Sequence, residues 1–450
     1  MKRQGRRKFI KHLAAGALAT AVSPTILKAD AGQRKLLQRA QRYSANDHLQ
    51  LALIGAGGMG VEDVQAALMI PGVKLVAACD LYDGRLAQAK ERWGKDLFTS
   101  RDYREVLARP EIDAVIIGTP DHWHKLISID ALRAGKAAYC EKPMVHSVGE
   151  GHEVIKAQRE TGKTFQVGSQ GMSSLGNEKA KELYEAGAIG QLNYAEGFWA
   201  RNSPVGAWQY AIPADASPDT VDWERYLSNT TKRDFDALRF FRWRNYQDYG
   251  TGVSGDLFVH LFSSLHFIIS SLGPTKIMAT GGLRYWKDGR EVPDVLLGMF
   301  DYPETKAHPA FNLSLRVNFV DGTSGSTYLR LVGSEGAMDV TWDDVYLRRN
   351  LASGPMDAFL SAKGDELSQA RDARKKMLPP SEAHYSAEKG YKGAHYDHFS
   401  NFFHSVRHGQ QAAQDAIFGF RAAAPALLCN DSYFEEKIVN WDPLEMKVKK

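Results

Sequence analysis

A chain of 450 residues is too long for one typical domain and long enough for two. Its 44% hydrophobic and 24% charged residues are those of an ordinary globular protein that buries a full core. The formal charge of +4 invites a nucleic-acid reading, but residues 1–31 alone hold seven basic side chains against one acid. The remainder is near −2 and has no long basic run, so a phosphate-tracking surface is not expected.

The first segment reads as an address. Arg6-Arg7-Lys8 precedes a short, weakly apolar stretch over residues 13–22, and Ala29-Asp30-Ala31 offers the small residues that a signal peptidase recognises. Residues 1–31 are therefore expected to be a twin-arginine signal peptide, cleaved after Ala31, that delivers a folded protein to the periplasm or otherwise outside the cytoplasm. The apolar run is too short to span a bilayer, so the mature chain is expected to be free of the membrane. An ordinary basic helix and an uncleaved anchor are the alternatives. Residues 32–48 are polar and form a linker or arm.

From residue 49 short apolar runs alternate with helical stretches. Strands are expected at 49–54, 74–79, 114–117, 137–140 and 164–167, with helices at 61–69, 85–93, 103–108, 125–134 and 148–161. That alternation predicts an α/β domain over 49–170, a doubly wound parallel sheet with helices on both faces. The character then changes. A helix at 175–186 and a strand at 192–200 lead into a loop-rich region, 202–249, heavy in Trp, Tyr and Arg. Strands follow at 276–284, 295–302, 310–320 and 324–332. In the third, Phe311, Leu313, Leu315, Val317 and Phe319 alternate with polar residues, which predicts a large open, mostly antiparallel sheet covered on one face. Residues 171–450 thus form an α+β domain, with an irregular excursion at 353–393 and a closing helix at 395–418. Cys79, Cys140 and Cys429 are far apart, and His122, His124, His146 and His152 are irregularly spaced, so no metal site is expected.

Gly55-Ala56-Gly57-Gly58-Met59-Gly60 follows the first strand and opens a helix. The glycines permit a tight turn, close approach of backbone to a pyrophosphate, and close helix–strand packing. Asp80 ends the second strand, placed to accept from the adenosine ribose hydroxyls and to repel a 2′-phosphate. With no Arg or Lys immediately after it, NAD is expected rather than NADP. A helix-capping role is the alternative for Asp80.

With Thr119-Pro120-Asp121-His122-Trp123-His124, Glu141-Lys142-Pro143 and Gly252-x-x-x-Asp256-x-x-x-His260, the chain after residue 49 resembles the glucose–fructose oxidoreductase, inositol dehydrogenase and rhizopine catabolism (Gfo/Idh/MocA) family. The resemblance implies a sugar or cyclitol bound between the two domains, and a homo-oligomer, dimer or tetramer, built through the open sheet. It implies that Thr119 to His124, Glu141, Lys142 and Gln170 sit around the nicotinamide half of the cofactor. Lys142 would hydrogen-bond the oxygen on the reacting carbon. His260 would exchange the hydroxyl proton, with Asp256 one helical turn earlier. The chemistry itself asks for such a set: oxidising a secondary alcohol requires a base for the hydroxyl proton and a cation for developing alkoxide charge. Arg242 and Trp243, in the aromatic loop, are candidates for a sugar platform or for an interface contact.

Three activities are compatible with these residues. One is an NAD-dependent oxidoreductase acting on a ring hydroxyl of a sugar or glycoside. Another is a redox-neutral glycosidase or lyase that works through a transient 3-keto sugar and keeps its NAD tightly bound. Export favours such retention, because free NAD is not recycled outside the cytoplasm. The third is a nucleotide-binding sensor without turnover, against which both Lys142 and His260 argue.

Overall fold

The computed structural model describes residues 48–203, 205–228, 230–322, 327–349 and 382–449. The expected signal peptide and almost all of the linker lie outside the described residues, as does most of the 353–393 excursion.

Six strands form the first sheet: β1 (Leu49–Ile54), β2 (Val73–Cys79), β3 (Phe98–Ser100), β4 (Ala114–Ile117), β5 (Ala137–Glu141) and β6 (Phe165–Gly168). All pairs are parallel and the order is β3-β2-β1-β4-β5-β6. β4, β5 and β6 are buried along their whole length, because helices cover both faces. The crossovers include α1 (Gly58–Leu68), α2 (Asp83–Trp93), α3 (Tyr103–Leu107), α4 (His124–Arg133) and α5 (Gly151–Thr161). β3 is a three-residue strand that the sequence reading did not anticipate. It is too short to show a period.

After α6 (Leu175–Glu185), whose N-cap Ser174 accepts from Asn177 N, the chain enters β7 (Leu192–Ala200). The excursion that follows carries the short helices α7 (Trp223–Leu227) and α8 (Ala237–Phe241). A π-helical turn, Ser254–Phe258, runs into α9 (Val259–Ile269), all of which is buried. The remaining strands are β8 (Lys276–Gly282), β9 (Val295–Tyr302), β10 (Phe311–Asn318), β11 (Thr327–Gly333), β12 (Gly336–Val340), β13 (Asp344–Arg349), β14 (Glu382–Ser386), β15 (Val439–Asp442) and β16 (Lys447–Val448). With β7 they form a ten-stranded sheet in the order β14-β13-β12-β11-β7-β10-β9-β8-β15-β16. It is antiparallel except for β7 against β10. The alternation in β10 is realised as read: Phe311, Leu313, Leu315 and Val317 are buried, whereas Asn312 and Arg316 are exposed.

Two expectations at the C-terminus change. The single helix expected at 395–418 is two, α10 (Ala394–His408) and α11 (Ala416–Phe434), and two further strands follow. Gly409 ends the first in the left-handed conformation (φ 61°), and Asp415 caps the second by accepting from Phe418 N. Residues 382–386, expected to be irregular, form β14 on the sheet edge. α10 also returns to the first sheet. Phe399, Phe402 and Phe403 join the core around Leu51, Leu53, Ile116 and Tyr139, so the first domain borrows a helix from beyond residue 170.

Candidate active site

The glycine turn sits between β1 and α1 and meets the β4 loop. Gly55 has φ 95°, and a Cβ there would stand 2.6 Å from Gly118 C; one on Gly60 would stand 2.1 Å from Gly55 O. These two glycines are therefore fixed by close backbone approach. Gly58, by contrast, has nothing within 4 Å of a built Cβ, so space lies open over the start of α1, where unpaired N–H groups attract a pyrophosphate. Asp80 is held by Ala56 N (2.8 Å) and Tyr82 N (3.0 Å), at the point where a ribose would arrive. Arg85 lies 3.5 Å from that carboxylate, with its guanidinium over the Phe241 ring. The cation stands five residues beyond Asp80 in sequence, and the first turn of α2 brings it back to the carboxylate.

Gly55, Gly57, Gly58, Met59, Asp80, Thr119, Pro120, Trp123, Glu141, Lys142 and Gln170 line one cleft of about 660 Å³. Thr119 Oγ1 is buried there without a hydrogen-bond partner among the described residues, a hydroxyl that a dinucleotide amide could satisfy. The glycine turn, the carboxylate and this hydroxyl together fit a nicotinamide dinucleotide.

At the other end of the cleft stand Lys142, Asp256 and His260. Lys142 leaves β5, and its Nζ donates to Asp256 Oδ1 (2.7 Å) and to Asp256 O (2.8 Å). Arg244 Nε adds a contact to Asp256 Oδ1 at 3.3 Å. Burial works to raise the Asp256 carboxyl, but the Lys142, Arg244 and Arg201 charges overcome it and hold the group well below the carboxylate range. His260 is stacked on Trp199 (centroids 5.2 Å apart, planes 25°) and lies 6.1 Å from Trp342. Burial, reinforced by the Lys142 charge, pushes its imidazole well below the ordinary value, so the ring is neutral. Its Nδ1 is buried without a partner among the described residues, which leaves Nε2 as the nitrogen with access to the cleft.

Beneath Lys142 is a layer of polar groups. Gln170 Nε2 donates to Glu141 Oε1 (2.6 Å) and Tyr139 OH (3.1 Å). Burial, then the nearby Asp63 charge, push Glu141 up to about 8, so it holds a proton at neutral pH. Asp63, fully buried on α1, meets His395 Nε2 of α10 at 2.7 Å. Neither Asp63 nor His395 carried a sequence signal, since the contact joins residues more than 300 positions apart.

Several expected site residues do other work. The side chains of Asp121, His122 and His124 do not reach the cleft. Asp121 Oδ2 accepts from Thr251 N (2.9 Å) and Oγ1 (2.7 Å), which ties the second domain to the β4 loop. His122 Nε2 meets Tyr226 O (3.0 Å), and its ring packs on Tyr226 and Tyr249. His124 bridges Pro143 O (2.7 Å) and Thr119 O (2.9 Å), and so braces the loops that present Lys142 and Thr119. Gly60 acts through packing. Trp243 lines the cleft but Arg242 does not; it turns away to Tyr210 O and Gln209. Arg244 takes the cleft position, because a 3₁₀ turn at Trp243–Asn245 swings it inward, stacked on Trp243 at 4.2 Å. Trp199, Arg201, Trp208, Tyr210 and Trp342 also line the cleft.

The 205–250 excursion lies over the Asp80 end. Asp222 N donates to Leu81 O (2.8 Å), Asp83 N to Thr220 O (3.0 Å), and Arg101 Nη2 to Asp219 O (2.8 Å). Tyr82 packs with Trp223, Tyr226, Phe240, Phe241 and Tyr249 in one apolar cluster. Among the described residues no group of three or more His, Cys, Asp or Glu is arranged to hold a metal ion.

Comparison with known proteins agrees with this layout. Residues 49–169 match the Gfo/Idh/MocA oxidoreductase family, NAD-binding Rossmann fold. The chain is 30% identical over 199 residues to an inositol 2-dehydrogenase of Rubrobacter xylanophilus, across 44% of this chain and 53% of that protein, so it spans about half of that relative's length. A longer match, 25% identical over 362 residues, reaches a glycosyl hydrolase family 109 protein of Shewanella baltica, across 77% of this chain and 69% of that one. In fold, the chain is similar to levoglucosan dehydrogenase solved with NADH and levoglucosan (TM-score 0.63, 19% identity, 87% of this chain and 99% of that one). The family match thus covers the first domain, and the solved structure agrees with the fold over 87% of the chain.

Proposed function

We propose that this chain is an NAD-dependent oxidoreductase of that family which oxidises a ring hydroxyl of a sugar or glycoside. One observation carries the reading: the Lys142 ammonium, fixed on Asp256, shares a cleft with the neutral His260 and with a glycine turn suited to a dinucleotide. When bound, NAD would accept hydride from the substrate carbon. The rest falls to the protein. His260 Nε2 takes the hydroxyl proton as the C–H bond breaks, and burial keeps that nitrogen unprotonated and ready. Lys142 Nζ, held by two acceptors on Asp256, donates to the oxygen as it gains charge. Trp199 and Trp342 present apolar surface suited to a ring face and exclude water from His260.

Asp80 favours NAD over NADP, since the carboxylate would face a 2′-phosphate, and the latched 205–250 excursion favours slow cofactor release. The twin-arginine motif at Arg6-Arg7 supports export in folded form. A signal-bearing chain expressed in a bacterial host would then appear in the periplasmic fraction, and Arg6→Lys/Arg7→Lys would hold it in the cytoplasm.

The long match to a family 109 glycosyl hydrolase favours a second reading, in which the oxidation is transient and reversed after a glycosidic bond is cleaved. One measurement separates the two. The protein, near-stoichiometric with NAD, is mixed with sugars and glycosides while NADH absorbance is followed. A lasting rise with a keto-sugar product is expected for the oxidoreductase. A rise that decays as aglycone is released establishes the redox-neutral cycle instead. No absorbance change and no cleavage with any bound sugar would sink both.

A further inference from the structure

The substrate end of the cleft carries more positive charge than its own carboxylates balance. Among the described residues, Lys142, Arg201 and Arg244 stand there with Asp256 as the carboxylate paired to them in the cleft, while Asp121 bears on Arg244 from outside it. Glu141, below, keeps its proton at neutral pH, and His260 is uncharged. The pyrophosphate of a cofactor does not account for the excess. Its site is the start of α1, at the glycine turn, whereas the Arg201 charge bears on Asp256 and His260.

Arg201 is the outlying cation. Its N donates to Asn318 O (2.9 Å), so it continues the β7 ladder, and the alternation of a strand puts it on the same face as Trp199. Arg201 lines the cleft and is exposed, and its guanidinium has neither an ion-pair nor a hydrogen-bond partner among the described residues. Arg244 is half engaged. Its face rests on Trp243 and its Nε on Asp256, while its two terminal nitrogens have no acceptor among the described residues. A planar fork of donors left open in a cleft matches a carboxylate in shape as well as charge.

We propose that the substrate is an anionic sugar, a hexuronic acid or its glycoside, whose carboxylate is received by Arg201 with support from Arg244. This deepens the functional reading above and rests on it for the reaction, although not for the binding. The hydroxyls of a neutral sugar would accept from these guanidinium groups but leave the Arg201 charge unanswered, whereas a carboxylate supplies both the acceptors and the charge.

The test compares matched pairs, methyl hexopyranosides and the corresponding methyl hexopyranosiduronates in the gluco, galacto and manno series. Binding to the NAD-loaded protein is followed by calorimetry, and turnover by NADH absorbance. At least one uronoside should bind about tenfold or more tighter than its neutral partner, and the advantage should shrink at high salt. Arg201→Gln should reduce the uronoside-to-hexoside ratio of kcat/KM at least tenfold, mainly through KM, and Arg201→Lys should restore part of it. A uronoside that binds preferentially but is neither oxidised nor cleaved would leave anion recognition standing and remove the oxidoreductase reading. Equal binding of both members of every pair would overturn the proposal, as would an Arg201→Gln variant that weakens both alike. So would a panel in which no uronoside binds.

Discussion

Removing the Lys142 ammonium leaves Asp256 with Arg244 as its remaining ion-pair partner among the described residues, the Arg201 charge acting from further off, and takes a donor from the developing alkoxide. Lys142→Ala should lower kcat by about 10²–10³-fold, the usual loss when one oxyanion donor is deleted, while NAD titration still reports a bound cofactor. Wild-type turnover in that variant would take Lys142 out of the reaction. His260 sets the pH dependence. A group whose folded value is depressed stays neutral until the pH falls below that value, so the acid limb of kcat/KM should lie well under 6.5. A limb at 6.5 that disappears in His260→Gln would show an exposed imidazole instead. Gly60→Ala tests the turn. Its Cβ would stand 2.1 Å from Gly55 O, so a loss of about 1–3 kcal/mol in unfolding free energy and weakened NAD binding are expected. Unchanged values for both would mean that the β1–α1 turn yields easily.

The π-helical turn at Ser254–Phe258 places both the carboxylate and the carbonyl of Asp256 against one ammonium, and the chain still reaches His260 on the cleft side. Such insertions recur at functional sites because they re-aim a side chain without ending the helix. The excursion that carries α7 and α8 works by latching. Its backbone bonds to Leu81 and Asp83, and Arg101 grips both Asp83 and Asp219 O. The Arg101–Asp83 pair lies within the first domain, so the side-chain share of the latch is the exposed Arg101 Nη2–Asp219 O bond, worth about 1 kcal/mol or roughly fivefold. Arg101→Ala should therefore speed NAD release about fivefold in a stopped-flow chase. No change in release rate would show that the excursion does not retain the cofactor.

Across the molecule, a buried acid layer joins the two halves of the chain through Asp63, Glu141 and His395. Burial raises both carboxyls above their ordinary range. The stability each contributes is complete below the unfolded value, about 4 for these side chains, and is lost as pH rises through the folded value. For Glu141 that window closes at about 8. The melting temperature should therefore decline from pH 5 to pH 9, and Glu141→Gln should flatten the decline. A wild-type melting temperature that climbs over this range would contradict the protonated layer. The open face of the ten-stranded sheet shows Leu297 and Met299, exposed at alternate positions of β9. We expect copies to meet there. Leu297→Lys/Met299→Lys should then lower the mass seen by light scattering, and an unchanged mass would move any contact elsewhere.

The glycine turn, the strand–helix alternation, the acid ending β2 and the Glu-Lys-Pro corner were legible in the sequence because each is a local device. A tight turn needs glycine wherever it occurs, and a strand covered on both faces reads as a continuous apolar run. The period-two pattern of β10 revealed the second sheet for the same reason. Which side chains face the cleft was decided elsewhere. Asp121 and His122 sit in a motif that looks like part of the site, yet Thr251 and Tyr226, more than 100 residues away, draw them into the joint between domains. Arg244 rather than Arg242 enters the cleft because one 3₁₀ turn sets the phase, and neighbouring arginines look alike in sequence. Arg201, Trp342 and His395 belong to three separate elements and share a cleft only once both sheets and α10 are packed. Local backbone preference is written residue by residue, but direction into a common cavity depends on contacts between distant segments, which only the folded chain brings together.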